Sequence, residues 1–542
     1  MRAGRRIVSG AMIRRGVQAA ALALFVGLVV IARPARLDAA PPPWLQSFFL
    51  IDPLILAFTW LSAHAVPALL LLALITLGVT MLLGRVFCGW ICPLGAIHAL
   101  AARFFDLCWP RRKRGEHWSP WQLAKYYILV ALLVMAAWGV RWGAVFDPLV
   151  LLYRTTTVAL LPGVHWTEQD AARQFDPAVP APTLRREKIA EVADEAFLGS
   201  GLILLLFLVI LVLNRYRRRF WCRYLCPLGA LLGVFALRPL LRRRVDRETC
   251  NECDVCGMAC HGAAAAVPGN QWQAAECFGC LNCTPACARG SLRFRWTWPW
   301  QGESQPASAR PFSRSRRGFL RGVSGAVGAA VGGLAGLFLL RAHPQSRNWT
   351  YHPALIRPPG ALPEPEFLKR CTACGLCMRV CPTGGLQPAL SEGGLEGIWT
   401  PRLVPRIGFC NEKCNLCGQV CPTGAIRPLS LEEKQKVRIG LAVIDTTRCI
   451  PYAYGLGCGT CVECCPLSPK ALYTVSASVE NREGDVEIIK QPRVDPDRCI
   501  GCGNCEYECP FGDLPAIRVT SANESRHYNP DNLELFLPPQ EG

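Results

Sequence analysis

The sequence predicts a membrane α-helical bundle of about four helices, followed by a fifth anchor helix and joined to cysteine-rich α+β domains. Hydrophobic residues make up 51% of the 542 residues and charged residues only 18%. This composition excludes a disordered chain and is too apolar for an ordinary soluble protein. The second observation is the presence of 30 cysteines, most of which fall into repeated groups of four.

Four apolar stretches in the first 240 residues approach the roughly 20 residues that a helix needs to span a bilayer. They cover residues 16–33, 65–84, 123–142 and 197–213. A fifth stretch, Gly318 to Leu340, is rich in glycine and alanine and is expected to be the anchor helix.

Charge predicts the orientation of these helices. Residues 1–342 contain 39 basic and 18 acidic side chains, whereas residues 343–542 contain 20 and 22. The basic clusters fall on one side of the membrane if the amino terminus is inside, as the positive-inside rule requires. Basic residues among long apolar runs also disfavour nucleic-acid binding.

Composition divides the chain into four parts. We expect a membrane domain at 1–240, a cytoplasmic segment with two cysteine groups at 241–298, a linker with the anchor helix at 299–342, and a periplasmic domain with four cysteine groups at 343–542. The expected location of the chain is the bacterial inner membrane, and the cysteine groups described below predict bacterial-ferredoxin-like iron–sulfur domains for its α+β parts.

The membrane half contains an internal repeat. Each copy begins with Asp-Pro-Leu, at Asp52 and Asp147, and ends with Cys-x3-Cys-Pro-Leu-Gly-Ala. Duplicated halves of a membrane bundle commonly meet at a shared site. Four thiolates converging from the two copies could hold one further cluster or act as redox dithiols, and they are Cys88, Cys92, Cys222 and Cys226.

Two cytoplasmic groups share the spacing Cys-x2-Cys-x2-Cys-x3-Cys. This spacing lets three thiolates of one loop bind three corners of an iron–sulfur cube, while the fourth, expected at the start of a following helix, turns toward the other cube. A zinc site is the alternative. We therefore pair Cys250, Cys253 and Cys256 with Cys287, and Cys277, Cys280 and Cys283 with Cys260.

Four further groups lie in the last third of the chain, and each fourth cysteine directly precedes a proline. Disulfides are the alternative outside the cell, but they give no reason for this recurring spacing. The groups are Cys371, Cys374, Cys377 and Cys381; Cys410, Cys414, Cys417 and Cys421; Cys449, Cys458, Cys461 and Cys465; and Cys499, Cys502, Cys505 and Cys509. Six groups predict six [4Fe-4S] clusters.

The remaining candidates have structural explanations. Asp52 and Asp147 are expected to be helix caps, with proton acceptance from a quinol as the alternative. Structural roles are also expected for Cys108 and Cys464 and for three histidines near membrane boundaries, His64, His98 and His165. No c-type haem motif or convincing nucleotide-binding loop is present in the sequence.

A twin-arginine export signal is predicted before the anchor helix. The run Ser315-Arg316-Arg317-Gly318-Phe319-Leu320 has the required arginine pair, although it is internal. Clusters are inserted in the cytoplasm, so a domain that holds them must cross the membrane already folded. A positively charged helix flank is the simpler alternative.

On these motifs, residues 1–295 resemble the NapH family of membrane ferredoxins, and residues 313–520 resemble the NapG family of four-cluster ferredoxins. The resemblance implies a fusion of two proteins that oxidises quinol and passes the electrons to a periplasmic reductase or cytochrome, with a nitrate reductase as the usual client. It also implies that the first and fourth outer groups exchange their last cysteines, as do the second and third.

The predicted function is electron transfer, with no substrate chemistry beyond quinol oxidation. The alternative is electron donation for the maturation or activation of a periplasmic metalloenzyme, as in nitrous oxide reductase or methylamine dehydrogenase systems. Both functions would use the same clusters, so the sequence does not separate them.

Overall fold

The structure is a computed structural model that describes residues 10–33, 41–109, 118–165, 167, 197–246, 248–264, 272–298, 316–342, 352–480 and 486–526. Several predicted features lie outside the described residues. These are the basic residues at 2–6 and 111–114, most of the polar loop 162–196, the linker up to Ser315, and the tail from 527.

Two units divide the chain, and neither is one continuous segment. The first unit comprises Met1–Val30, Ser47–Leu152 and Leu204–Phe338, and the second comprises Ile31–Gln46, Tyr153–Ile203 and Leu339–Gly542. The second unit therefore includes residues 153–203, which the sequence division assigns to the membrane domain.

Two helices in the described part of the chain are long and apolar enough to cross a membrane, Gly10–Ile31 and Pro120–Ala137. A third span results if Pro43–Leu50 and Pro53–Ala63, which are bent by 87°, count as one. The two long helices coincide with predicted stretches one and three.

Predicted stretches two and four form shorter apolar helices, Ala68–Leu83 and Ser200–Arg215. At 1.5 Å per residue each is about 24 Å long, somewhat less than the hydrocarbon core. Both expose many leucines, including Leu74 and Leu205, which is compatible with a lipid-facing surface. The four-helix bundle stays a prediction, and the anchor sequence forms the helix Arg316–Ala342.

Each copy of the repeat contains two helices that lie outside the predicted apolar stretches, and all four begin at a proline. Proline suits the first helical position, because its missing N–H has no intrahelical acceptor there. The residue before it is an aspartate in one helix of each copy and a cysteine in the other. The helices are Pro53–Ala63, Pro93–Cys108, Pro148–Thr155 and Pro227–Phe235.

Among the described residues, the strands form four separate two-stranded antiparallel sheets. One sheet belongs to the first unit and three to the second. The pairs are Leu241–Val245 with Leu292–Trp296, Leu386–Pro388 with Pro401–Leu403, Leu441–Ile444 with Ile517–Thr520, and Leu472–Glu480 with Val486–Val494.

Six four-residue helices carry the third cysteine of each predicted group. The fourth cysteine follows the end of this helix, so the expectation that it starts a helix is wrong. In the outer groups the next residue is proline, which cannot continue a helix. These helices are Val255–Met258, Cys283–Ala286, Leu376–Arg379, Leu416–Gln419, Thr460–Glu463 and Asn504–Tyr507.

Three further short α-helices in the described part of residues 352–526 connect these groups. They are Glu364–Arg370, Leu431–Lys436 and Ile450–Ala453. In the first unit, Phe220–Tyr224 and the π-helix Phe87–Ile91 carry the first cysteine of each membrane pair.

Candidate metal centres

Four of the six groups share one loop conformation. In every group with two-residue gaps, the second and fourth residues after the first cysteine have positive φ, between 52° and 86°. When residues with a left-handed backbone conformation alternate with others, successive backbone N–H groups point into one concave surface. This arrangement is found at many anion and iron–sulfur sites. The residues are Glu252 and Asp254, Gly279 and Leu281, Ala373 and Gly375, and Gly501 and Gly503.

In the first unit, the structure brings Cys260 to the second cysteine group. Its sulfur interacts electrostatically with Cys277 and Cys280, and Cys283 interacts with the same three residues. The amide of Ala264 donates to Cys260 Sγ over 3.3 Å. This arrangement agrees with the predicted pairing for that group, whereas the pairing of Cys287 with the first group stays a prediction.

In the second unit, the first two outer groups exchange their last cysteines. Cys421 interacts with Cys371, Cys374 and Cys377, while the helices Leu376–Arg379 and Leu416–Gln419 pack together. The reciprocal set lines one cavity of about 420 Å³, and it consists of Cys381, Cys410, Cys414 and Cys417.

The third and fourth groups repeat this exchange. Cys449 interacts with Cys458 and Cys509, and a cavity of about 310 Å³ is lined by Cys465, Cys499, Cys502 and Cys505. The pairing implied by the family resemblance, first with fourth and second with third, therefore differs from the structure. The reason is local, because each group packs its short helix on that of its sequence neighbour.

The thiols in these cavities fit an iron–sulfur cluster chemically. Burial raises the pKa of Cys502 to about 12 and that of Cys414 to about 11, so the thiolates need a cationic partner such as iron. Amides of Ile426 and Ala516 donate to the sulfurs of Cys421 and Cys509 over 3.5 and 3.4 Å. Such hydrogen bonds tune cluster potentials.

Within the described ranges, no three cysteine, histidine or acidic side chains are grouped as a single metal ion would require. A cube distributes its four cysteines over four iron atoms, so its ligands stand further apart than those of one ion.

The two pairs of outer groups adjoin through the second and fourth groups. The amide of Cys410 donates to the carbonyl oxygen of Cys502 over 2.8 Å, and the Phe409 and Tyr507 rings lie 5.5 Å apart. The four sites therefore form a row in the order first, second, fourth, third.

Residues 153–160 pack on the first outer group within the second unit. The Arg154 guanidinium lies 4.1 Å from the centre of the Trp399 ring, and its Nη1 donates to the Ala373 carbonyl over 3.4 Å. A Cβ built on Gly375 would lie 3.1 Å from Thr157 Oγ1, so this helical segment is in close contact with the cysteine loop.

The four membrane cysteines come together in the first unit. All four are buried, and Cys226 interacts electrostatically with the other three. Cys92 and Cys226 precede the prolines that start two helices, and Cys226 Sγ accepts the Gly229 amide over 3.2 Å. The repeat therefore brings the thiols of both copies together, and their role as one cluster or as redox dithiols stays a prediction.

This membrane thiol site contacts the second cysteine group of the same unit. A Cβ built on Gly89 would lie 2.1 Å from the carbonyl oxygen of Phe278, so only glycine permits this approach. Trp90 Nε1 donates to the Gly279 carbonyl over 2.9 Å. The two cysteine loops therefore meet backbone to backbone.

A buried carboxylate stabilises the contact between these two cysteine loops. Glu276 precedes Cys277, pairs with Lys125 and accepts from Arg85 Nη1 over 3.4 Å and from Tyr126 Oη over 3.1 Å. The sequence analysis missed Glu276, Arg85 and its counterpart Arg219. The sequence does contain a signal that could have identified the arginines, because the motif Arg-x2-Cys-x3-Cys-Pro-Leu-Gly occurs in both copies of the repeat.

Asp52 and Asp147 cap their helices, as predicted. Their Oδ1 atoms accept the amides of Leu54 and Leu149, each over 2.8 Å. The structure adds that the two carboxyl groups are fully buried and interact electrostatically with each other.

The remaining candidates have structural surroundings. His64 caps a helix end with φ 51°, as expected, but His98 is buried and lies 2.7 Å from Asn214 Nδ2 instead of at an interface. Cys108 is exposed, and Cys464 donates to the Cys461 carbonyl over 3.5 Å.

Family profiles assign the cysteine loops to iron–sulfur domains. A 4Fe-4S binding domain matches residues 65–115 and 197–248, which include all four membrane cysteines. Two 4Fe-4S dicluster domain profiles match residues 456–512 and 273–385. No solved structure matches this chain.

Three curated relatives define the class further. MauM of Methylorubrum extorquens, a methylamine utilization ferredoxin-type protein, is 39% identical over 213 residues, which are 39% of this chain and 91% of MauM. NapH of Haemophilus influenzae, a ferredoxin-type protein, is 29% identical over 271 residues, 48% of this chain and 79% of NapH. YccM of Escherichia coli is 27% identical over 233 residues, 42% of this chain and 54% of YccM.

These matches and the cysteine sites define an iron–sulfur electron-transfer protein. The chain belongs to the family of ferredoxin-type proteins that includes NapH and MauM. Its several 4Fe-4S domains and its apolar helices are compatible with a membrane-associated carrier.

Proposed function

We propose that this protein is a membrane-bound electron carrier that takes electrons from quinol and passes them to a periplasmic reductase of the nitrate-reductase type. The observation that carries this proposal is the close spacing of consecutive cysteine sites within each unit. Iron–sulfur clusters supply reversible one-electron storage at such sites.

In the first unit, the backbone contact between Gly89 and Phe278 puts the membrane thiol site directly beside the site of Cys260, Cys277, Cys280 and Cys283. Electron tunnelling weakens steeply with distance, so this contact favours electron exchange. We propose that Cys88, Cys92, Cys222 and Cys226 hold one further cluster at this point.

In the second unit, the contacts link the four outer sites in the order first, second, fourth, third. The first site lies against residues 153–160, and the third lies at the other end of the row. A row with distinct ends suits a protein that receives electrons at one end and delivers them at the other.

Quinol oxidation also releases protons, and the buried carboxyl groups of Asp52 and Asp147 offer a place for one. The pair is fully buried and connects both copies of the repeat. We propose that these aspartates take up a proton during quinol oxidation, beyond their role as helix caps.

The direct test uses the anaerobically purified holoprotein in detergent. Reduced ubiquinone and menaquinone analogues are added separately, and the visible iron–sulfur absorption is followed. We expect at least one quinol to bleach it, and periplasmic nitrate reductase with nitrate to restore it. Bleaching by dithionite but by neither quinol would refute the choice of donor.

The proposed cofactor content is six clusters, or about 24 iron atoms per chain, and about 28 with the membrane thiol site. A Cys421→Ser variant should weaken the site of Cys371, Cys374 and Cys377 and lower the iron content. The Cys464→Ser variant is the control and should retain the full content. Zinc in place of iron, or about four iron atoms in all, would contradict the proposal.

We further propose that residues 241–298 face the cytoplasm and residues 343–542 the periplasm, with Arg316–Ala342 as the retained anchor. The amino-terminal position of Arg316 and Arg317 in this helix is consistent with a twin-arginine signal. Reporter fusions near residues 270 and 345 test this topology.

The second candidate is electron donation for the maturation or activation of a periplasmic metalloenzyme. The similarity to MauM favours it, because MauM is more similar to this chain than NapH is. We then expect the protein to reduce an immature methylamine dehydrogenase system but not nitrate reductase. Comparing the two acceptors in the quinol assay separates the candidates.

A further inference from the structure

We propose that Arg85 and Arg219 form a crossed pair of positioning residues that offset the negative charge of the membrane thiol site and raise its reduction potential. The inference rests on the proposed cluster at Cys88, Cys92, Cys222 and Cys226. It concerns two side chains for which neither the family profiles nor the relatives assign a role.

The two arginines occupy equivalent positions in the repeat. Each stands three residues before the first cysteine of its copy, in the motif Arg-x2-Cys-x3-Cys-Pro-Leu-Gly. Both are almost completely buried, with exposed fractions of 0% for Arg85 and 1% for Arg219. A buried guanidinium stays charged and therefore requires negative charge nearby.

Each arginine reaches toward the other copy of the repeat. A Cβ built on Gly229 would lie 2.6 Å from Arg85 Nη2 and 3.5 Å from Cys226 Sγ. The Cβ of Gly95 would lie 3.9 Å from Arg219 Nη1 and 3.7 Å from Cys92 Cβ. The guanidinium of one copy thus lies beside the Cys-Pro-Leu-Gly turn of the other.

The electrostatic contacts follow the same crossed pattern. Arg85 interacts with Cys88 of its own copy and with Cys226 of the other. Arg219 interacts with Cys222 of its own copy and with Cys92 of the other. All four sulfurs are therefore near one of the two cations.

Each guanidinium donates hydrogen bonds through its Nη1 atom, while its other two nitrogens lack a hydrogen-bond partner. Arg85 Nη1 donates to the Ala275 carbonyl over 3.0 Å and to Glu276, and Arg219 Nη1 donates to the Cys88 carbonyl over 3.2 Å. Nε and Nη2 of both residues are buried without a partner. Buried donors seldom remain unsatisfied in a folded protein, so these point to an acceptor at the site.

Sulfide and thiolate sulfurs of a cluster are acceptors of this kind. A cluster with four thiolate ligands is anionic, and each added electron makes it more negative. Fixed positive charges therefore favour the reduced form, and hydrogen bonds to sulfur act in the same direction. The pair would raise the potential of the membrane thiol site, so that it accepts electrons more readily.

Phe278 gives the pair a second contact. Its ring centre lies 4.9 Å from the Arg85 guanidinium carbon and 5.1 Å from that of Arg219. The residue lies between Cys277 and Cys280, so both arginines stand between the membrane thiol site and the next cysteine site. Because a cation is attracted to the face of an aromatic ring, Phe278 helps to hold both guanidinium groups in position.

The test measures the potential of the membrane site in detergent-purified holoprotein by anaerobic redox titration. The spectroscopic signal of this site is defined as the one that Cys222→Ser removes. Arg219→Gln is the cleaner variant, because Arg85 also pairs with Glu276. We expect at least a tenfold rise in the oxidised-to-reduced ratio at fixed ambient potential, which is a 59 mV decrease for one electron.

Two variants control this result. Arg219→Lys keeps the charge and should stay within about threefold of the wild type. Arg141→Gln removes another buried arginine of the same unit, whose Nη2 donates to Thr59 Oγ1 over 2.7 Å, and should leave the potential unchanged. If the Arg219→Gln protein cannot be obtained in folded form, we expect the same decrease in reduction potential from Arg85→Gln.

Unchanged titration in both glutamine variants would overturn the inference, and so would equal shifts for lysine and glutamine at Arg219. A wild-type protein without iron at these four cysteines would instead refute the proposed cluster. Iron content and potential therefore distinguish failure of the cluster from failure of the arginine pair.

Discussion

Replacing Glu276 by alanine should destabilise the first unit strongly. Its side chain is 5% exposed and faces Arg85 and Lys125, whose side chains are fully buried. It also accepts from Tyr126 Oη over 3.1 Å and Gln122 Nε2 over 3.3 Å. Alanine would leave two buried cations without their carboxylate, and breaking a buried ion pair costs about 3–5 kcal/mol.

The assay is urea unfolding of the detergent-purified protein, followed by the fluorescence of its tryptophans. Asp106→Ala is the matched control, because Asp106 pairs with Arg218 over 2.9 Å at a partly exposed position. Such pairs contribute about 0–1 kcal/mol. Glu276→Gln should fall between the two, since it keeps an acceptor and loses the charge. A Glu276→Ala protein within about 1 kcal/mol of the Asp106→Ala protein would refute this reasoning.

Gly89→Ala would place a Cβ 2.1 Å from a backbone oxygen and should lower the free energy of unfolding by about 1–3 kcal/mol in the same assay. Gly78→Ala is the control, because its Cβ meets nothing within 4 Å, and it should leave the free energy of unfolding unchanged. Burial raises the pKa of Glu364, but two neighbouring guanidinium groups outweigh it and lower the pKa from 4.5 to about 2. At neutral pH the ionised Glu364 therefore stabilises the folded state by about 3 kcal/mol. This stabilisation is lost as the pH falls from about 4.5 to about 2, and Glu364→Gln should remove the pH dependence from acid unfolding curves. Replacing Arg316 and Arg317 by lysine should keep a reporter fused after residue 345 in the cytoplasm, because export reads the guanidinium pair, and normal export would contradict the signal.

The cysteine pattern by itself determined which residues belong to which group. Ligand spacing is a property of a short loop, so the sequence contains it completely, and the positive φ values at Gly501 and Gly503 agree with that local geometry. The repeat was also readable, because both copies carry the same motif. The apolar stretches predicted helices, but length alone did not show that Ala68–Leu83 and Ser200–Arg215 are shorter than a full span.

Only the tertiary structure decided how the groups combine. The fourth cysteine of a group approaches the neighbouring group on which its short helix packs. The spacing of the cysteines within a group does not show which neighbour that is. For this reason Cys421 approaches the first outer group, and the exchange with Cys509 implied by the resemblance is absent from the described residues.

The same reason explains Arg85, Arg219 and Glu276. The sequence analysis did not single them out, yet all three are buried where the two copies of the repeat and the loop at Phe278 meet. Sequence supplied the charges and their repeated spacing. Burial decided their role, because a charge withdrawn from water must be offset by a partner that only folding brings close.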